Sequence, residues 1–134
     1  MCGIVGYIGH PPVVATLLEA LRRLEYRGYD SAGIAVLNSH GIKLCKQVGK
    51  LNALFTAVSN APFDGQLGLG HTRWATHGEP SETNAHPHID CSGQLAVVHN
   101  GIIENYADIK AQLIAKGPAF RSQTYTEVIA HLVE

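Results

Sequence analysis

Cys2 directly follows the initiator methionine and opens the glycine-rich run CGIVGYIG, Cys2 to Gly9. If Met1 is removed, one residue carries both a thiol and a free α-amine. An α-amine has a reference pKa of about 7.7–8.0 and can serve as a base near neutrality. A deprotonated thiol is a strong nucleophile. The pair needs no separate histidine. A second segment, His71-Thr72-Arg73-Trp74-Ala75-Thr76-His77-Gly78, opens a long polar stretch. An arginine in such a loop suits two-point capture of a carboxylate, and the adjacent tryptophan suits an apolar lid. A third, Val97-Val98-His99-Asn100-Gly101, ends a short apolar run on Asn-Gly. A side-chain amide and a glycine N–H that converge form an oxyanion hole. The same dipeptide is also a common turn. His86-Pro87-His88 suggests metal ligation, but no cysteine or carboxylate stands at ligand spacing beside it. These histidines therefore read as solvated loop residues, and no metal is expected.

The elements that must position these residues follow from periodicity. Cys2 to Gly9 reads as a short buried strand. Pro11 and Pro12 suit a helix start. Val14, Leu17, Leu18, Leu21 and Leu24 give a helical stripe, and Gly28 is expected to end that helix. Ala32–Leu37 and Ile42–Val48 read as a hairpin across residues 38–41. Leu51, Leu54, Phe55 and Val58 mark a second helix. Leu67–Trp74 reads as a strand entering a loop, and residues 75–94 lack any periodicity; loops of that length are usually functional or disordered. Leu95–Val98 reads as a strand and Asn105–Lys116 as a helix stopped by Gly117. Thr124-Tyr125-Thr126-Glu127 matches a capping box for a last helix. Mixed helices and a hairpin indicate an αβ class with antiparallel pairing. The common nucleotide fingerprints are absent.

Composition bounds the function. The chain has 134 residues, 46% hydrophobic and 16% charged, with 10 Lys plus Arg against 11 Asp plus Glu. That describes one folded domain or part of one. The balanced charge points to no nucleic-acid partner, and no apolar run approaches the ~20 residues of a membrane span. No secretory signal opens the chain. Cys2, Cys45 and Cys91 are too few and too widely spaced for a disulfide framework or zinc site. A reducing, cytoplasmic compartment is expected, with Cys45 and Cys91 as packing residues. Eight histidines suggest pH sensitivity between about 5 and 8.

Taken together, four segments in order carry a resemblance: MCGIVG from Met1, EYRGYDSAG from Glu25, HTRWATHGEPSETNAHPH from His71 and VVHNGIIEN from Val97. The chain resembles the glutaminase domain of the glutamine–fructose-6-phosphate aminotransferase family. That family belongs to the class II glutamine amidotransferases, within the N-terminal nucleophile hydrolases. The resemblance covers essentially the whole chain. It implies an α+β fold, a four-layer αββα sandwich of the N-terminal nucleophile hydrolase type, C-terminally incomplete here. It also implies that residues 1–134 form a partial glutaminase domain. Cys2 would attack the glutamine amide, its α-amine would move the proton, and Asn100 with the Gly101 N–H would hold the oxyanion. Arg73, helped by Thr76 and His77, would grip the α-carboxylate, and Trp74 would close over the site. No cofactor is implied. Ammonia would pass to a separate isomerase domain acting on fructose 6-phosphate.

Two departures stand out. Tyr125 occupies the place where the family carries an aspartate that pairs with the glutamine α-ammonium. The chain also stops earlier than the family's domain, which would leave sheet edges and an apolar face uncovered and invite a homo-oligomer. The alternative reading is a catalytically silent chain that folds or binds only with a partner. A histidine-rich metal-binding module is a third, weaker alternative.

Overall fold

A computed structural model describes residues Met1 to Glu134. Six strands and four α-helices follow in the order β1 (Gly3–Ile8), α1 (Val13–Arg22), β2 (Ser31–Asn38), β3 (Gly41–Val48), α2 (Leu51–Asn60), β4 (Leu67–Arg73), β5 (His88–Ile89), β6 (Ala96–Val97), α3 (Tyr106–Lys116) and α4 (Thr126–Val133). β1, β4, β2 and β3 form one antiparallel sheet in that spatial order, and β5 pairs with β6 in a second. α1 and α2 cover one face of the larger sheet. The smaller sheet and its preceding loop lie against the other face, with α3 and α4 beyond. The order helix–sheet–sheet–helix matches the αββα expectation, although β5 and β6 have only two residues each.

Strand alternation builds the main core. Ala32, Ile34 and Val36 of β2 point at Val13, Leu17 and Leu21 of α1 and at Leu51, Leu54 and Val58 of α2, all buried. The opposite face of β2 is nearly bare: a Cβ on Gly33 would run into the His86 carbonyl oxygen. That missing side chain lets the 75–94 loop approach the sheet. β4 repeats the logic. Gly68 and Gly70 lie under Leu17 and Leu21 of α1, while His71 and Arg73, on the other face, are buried towards the second layer.

Helix ends are satisfied from a distance. Pro12 offers no side-chain acceptor to α1, so Asp64 Oδ1 accepts the Val13 and Val14 N–H groups at 2.9 and 3.1 Å. A carboxylate there also meets the positive end of the helix. Tyr29 Oη accepts the Leu51 N–H at 2.8 Å and donates to Glu25. Burial, with that glutamate, pushes its pKa up to about 12.

Several expectations need correction. β1 is an edge strand, not a buried one: Ile4 and Ile8 are 44% and 79% exposed. α1 stops at Arg22, and Gly28 (φ 75°) ends a separate 3-10 turn at Glu25–Arg27. No capping box forms at α4. Tyr125 already has helical dihedrals, and the buried Glu127 carboxylate instead accepts the backbone N–H groups of Arg121 and Ser122 and the Ser122 hydroxyl, at 2.6–2.7 Å. Cys45 is partly buried against the core, as expected, but Cys91 is exposed.

Gly33→Ala tests the sheet-to-loop contact. A new methyl aimed at a backbone oxygen forces the layers apart, so stability is expected to fall by about 1–3 kcal/mol. An unchanged urea midpoint would show that the close approach is dispensable.

Candidate active site

Pairing of β1 with β4 places the thiol. Gly3 lies opposite Thr72, and the Gly3 N–H donates to Thr72 Oγ1 at 3.1 Å. Cys2, one residue earlier, therefore lies beside the end of β4, where the Trp74 N–H donates to Cys2 Sγ at 3.2 Å. Asp30 fixes the turn: its Oδ2 accepts the Ala75 N–H at 2.5 Å, and its own N–H donates to the Arg73 carbonyl at 2.8 Å. On the other side, Arg27 Nη1 donates to the Cys2 carbonyl at 3.4 Å, and the Met1 ammonium donates to the Arg27 and Gly28 carbonyls at 3.0 and 3.3 Å. While Met1 is attached, the Cys2 nitrogen is an amide and has no basic lone pair.

Asn100 faces the same residue. Its Nδ2 donates to the Cys2 carbonyl at 3.4 Å, and its Oδ1 lies 2.8 Å from His71 Nε2. Gly101 has φ 154°, and a Cβ there would lie 2.9 Å from His99 Nε2. Only glycine fits that backbone without moving the histidine.

A cavity of about 360 Å³ brings these groups together. That is the lower end of the roughly 300–1,000 Å³ range for small-molecule sites. Cys2, Arg73, Trp74, Thr76, His77, Asn100, Gly101 and Tyr125 all line it, so the candidate site residues of the sequence converge there. Two arginines, Arg27 and Arg73, line the cavity, and no aspartate or glutamate does. The site suits an anionic group and offers no carboxylate to a cationic one.

Individual placements add detail. Arg73 is 4% exposed, and its Nη2 donates to the His77 and Gly78 carbonyls at 2.6 and 2.9 Å, with Nη1 3.4 Å from the Glu79 carbonyl. Part of the guanidinium thus holds the loop, leaving Nε–H and one Nη1–H for a ligand. Trp74 is 53% exposed, consistent with a side chain at the cavity mouth. His77 Nε2 lies 3.1 Å from Tyr106 Oη, and the His77 ring stacks on Tyr125 with centroids 4.7 Å apart. Tyr125 also meets Tyr106 edge-on at 4.6 Å. The position where an aspartate was expected is an aromatic wall.

The loop histidines are not solvated. His71, His86 and His88 are all buried, His71 and His86 stack with centroids 4.2 Å apart, and His88 meets His86 edge-on at 4.7 Å. His88 Nε2 bonds Thr124 Oγ1 at 2.8 Å. Burial lowers the His71 pKa to about 4 and that of His88 to about 3, and drives His86 lower still, with neighbouring His71, His88, Arg73 and Lys46 adding to the effect. None of the three titrates between pH 5 and 8 in the folded chain, so at these three the pH sensitivity expected from composition enters only through their burial. Ligating atoms of Cys91, His131 and Glu134 lie within 4.8 Å of one another, a grouping that loop spacing did not suggest. Residues with site contacts that sequence reasoning left without a role are Arg27, Asp30, His71, Tyr106 and the Trp74 backbone N–H. Arg27 and Asp30 lie inside the EYRGYDSAG motif and His71 opens the next one. That position within a motif is the signal that could have found them.

A family model described as a glutamine amidotransferase domain matches residues 57–134. Glutamine–fructose-6-phosphate aminotransferase (isomerizing) of Thermus thermophilus is 59% identical over the whole chain, and that of Pyrococcus horikoshii is 54% identical. The chain spans 22% of the length of these relatives. Among solved structures, glutamine phosphoribosylpyrophosphate amidotransferase from B. subtilis superposes with a TM-score of 0.82 at 29% identity, over 99% of this chain and 29% of that one. A structure described as the allosteric regulatory enzyme of purine biosynthesis gives 0.83 at 28% identity.

The buried histidines predict a pH dependence of stability. Their folded pKa values lie below the unfolded value of about 6.5, so below that pH the unfolded chain takes up protons that the fold refuses. The histidine contribution should be flat above about pH 7. From about pH 6.5 down to about pH 4 it should fall, each histidine contributing up to about 1.4 kcal/mol per pH unit. Urea titrations across pH 4.5–8 check this; a flat profile would contradict the buried, neutral assignment.

Proposed function

The chain belongs to the glutamine amidotransferase domain family, with the N-terminal nucleophile hydrolase fold, and on that footing we propose that Cys2 hydrolyses the side-chain amide of glutamine to glutamate and ammonia. The observation that carries the reading is the convergence of Cys2 Sγ, the Asn100 amide and Arg73 on one carboxylate-free cavity.

The chemistry follows from those positions. Removal of Met1 frees the Cys2 α-amine as the base. It takes the thiol proton, while the Trp74 N–H donates to the sulfur. Sγ adds to the amide carbon, and the developing oxyanion is held by Asn100 Nδ2 and the Gly101 N–H. Donors aimed at that oxygen are worth about 2.7–4 kcal/mol each. The amine returns the proton to the leaving nitrogen, the C–N bond breaks, and ammonia departs from a thioester. Water, deprotonated by the same amine, hydrolyses it to glutamate. Free N–H groups of Arg73 hold the α-carboxylate, Thr76 and His77 complete that end, and Trp74 shields the mouth. No cofactor enters the scheme.

The wider assignment belongs to this proposal as well. Residues 1–134 form part of a class II glutaminase domain, and in the whole protein the ammonia serves an isomerase domain that aminates fructose 6-phosphate. The names and lengths of the relatives support this. No helix is long and apolar enough to cross a membrane, which is compatible with a cytoplasmic enzyme.

Glutamate release from glutamine tests the reading. Cys2→Ala should abolish it, and Asn100→Ala should lower kcat about a hundredfold to a thousandfold; full activity in Cys2→Ala would sink the mechanism. The aromatic wall gives the α-ammonium no charged partner, so KM should be high. Tyr125→Asp should lower it about tenfold to a hundredfold, the worth of a charged hydrogen bond. An unchanged KM would show that the ammonium is held elsewhere.

A further inference from the structure

Asn100 can act as an oxyanion donor only if its amide faces one way. A carboxamide has two orientations of nearly equal shape, one presenting Nδ2 and the other Oδ1. The Asn100 side chain is exposed at the cavity, so packing alone does not choose between them. With Oδ1 turned inward, a lone pair would face the developing negative charge.

One buried group makes the choice. We propose that His71 is a positioning residue: its Nε2–H, 2.8 Å from Asn100 Oδ1, locks the amide with Nδ2 towards Cys2. The inference rests on the glutaminase reading and extends it to a cavity-lining residue that has no hydrogen bond to the nucleophile.

His71 is built to do this in one tautomer. It is fully buried on β4, and its ring is fixed by the stack on His86, 4.2 Å away and tilted by 17°. That stack is itself permitted by Gly33, the register partner of His71, whose missing Cβ makes room for the His86 carbonyl. Nδ1 of His71 has no hydrogen bond of good geometry, although the His99 backbone lies close enough to the ring to favour its charged form. A buried N–H without an acceptor is rarer and more costly than a bare lone pair. The proton therefore resides on Nε2, where Asn100 Oδ1 accepts it, and Nδ1 stays unprotonated. Burial also keeps the ring neutral, with a pKa near 4.

Two readouts test this, one independent of catalysis. Imidazole ¹⁵N spectra of the whole chain should show His71 as the Nε2–H tautomer; the Nδ1–H tautomer would overturn the proposal. Kinetics on the Met1-processed chain provide the second. His71→Leu, which deletes the donor, should lower kcat about tenfold to a hundredfold, less than deleting Asn100 itself, with KM in place. His71→Gln, whose amide nitrogen sits near the Nε2 position, should restore most of the loss. The double variant His71→Leu/Asn100→Ala should be no slower than Asn100→Ala alone, because the two residues act as one unit. Alkylation of Cys2 by iodoacetamide needs no oxyanion hole and should be unaffected. Additive losses, a glutamine variant as impaired as the leucine one, or loss of alkylation would assign His71 a merely structural role. Absence of glutamine turnover in the unsubstituted chain would count against the glutaminase reading, while the tautomer would still decide the geometry proposed here.

Discussion

Antiparallel pairing between β1 and β4 is the constraint on which the rest depends. The register sets Gly3 against Thr72, and so sets Cys2 against the turn that follows Arg73. Side chains alternate along a strand, so a slip of one residue would exchange the faces. Gly3 would then lose Thr72, and Cys2 would be carried away from the turn that follows Arg73. The same register aims the Trp74 N–H at the thiol. Asp30, at the start of β2, ties down the turn from the neighbouring strand. A chain terminus is ordinarily the least ordered part of a domain. Here it is held by an edge-strand ladder and by contacts to Arg27 and Gly28.

Between the sheets the molecule tolerates polar groups by keeping them neutral or by surrounding them with backbone oxygens. The three neighbouring histidines, His71, His86 and His88, are uncharged there. Arg73 is charged, and its Nη2 is met by two loop carbonyls. Lys46, whose ammonium reaches the Thr83 carbonyl at 3.3 Å, has its pKa lowered to about 8 mainly by burial. Burying polar groups is tolerable only when they find partners or lose their charge. This layer shapes the cavity from below: it supports the loop that carries His77 and turns the Arg73 guanidinium partly towards the opening. The result is a pocket with an excess of positive charge and an aromatic wall. It offers the carboxylate of a zwitterion a cation and leaves its ammonium without a charged partner.

Legibility in the sequence divides along physical lines. The stripe Leu51, Leu54, Val58 and the β2–β3 hairpin were readable because each reports a local period. Seven of the eight candidate site residues could be singled out because they lie in long motifs, and Tyr125 because it departs from a pattern. What was hidden depended on contacts between distant segments. Nothing local distinguishes a histidine in a polar loop that remains wet from one pressed onto a glycine of another strand, as His86 is on Gly33. Thr124 to Glu127 satisfies a capping pattern, yet the backbone N–H groups of Arg121 and Ser122 recruit Glu127 first. Composition could not show β1 to be an edge strand, because only the sheet order does so. Backbone donors such as the Trp74 N–H carry no residue signature at all.

The central claim is that Cys2, as a free N-terminal residue, is the nucleophile of a glutamine-shaped site. It is tested most directly by peptide mass spectrometry after exposing the chain to a glutamine analogue with an electrophilic carbon in place of the side-chain amide. The account predicts one adduct, on a peptide beginning at Cys2 with Met1 absent, suppressed by excess glutamine, with Cys45 and Cys91 unmodified. An adduct spread over Cys91, or labelling of Cys2 that glutamine does not suppress, would contradict it.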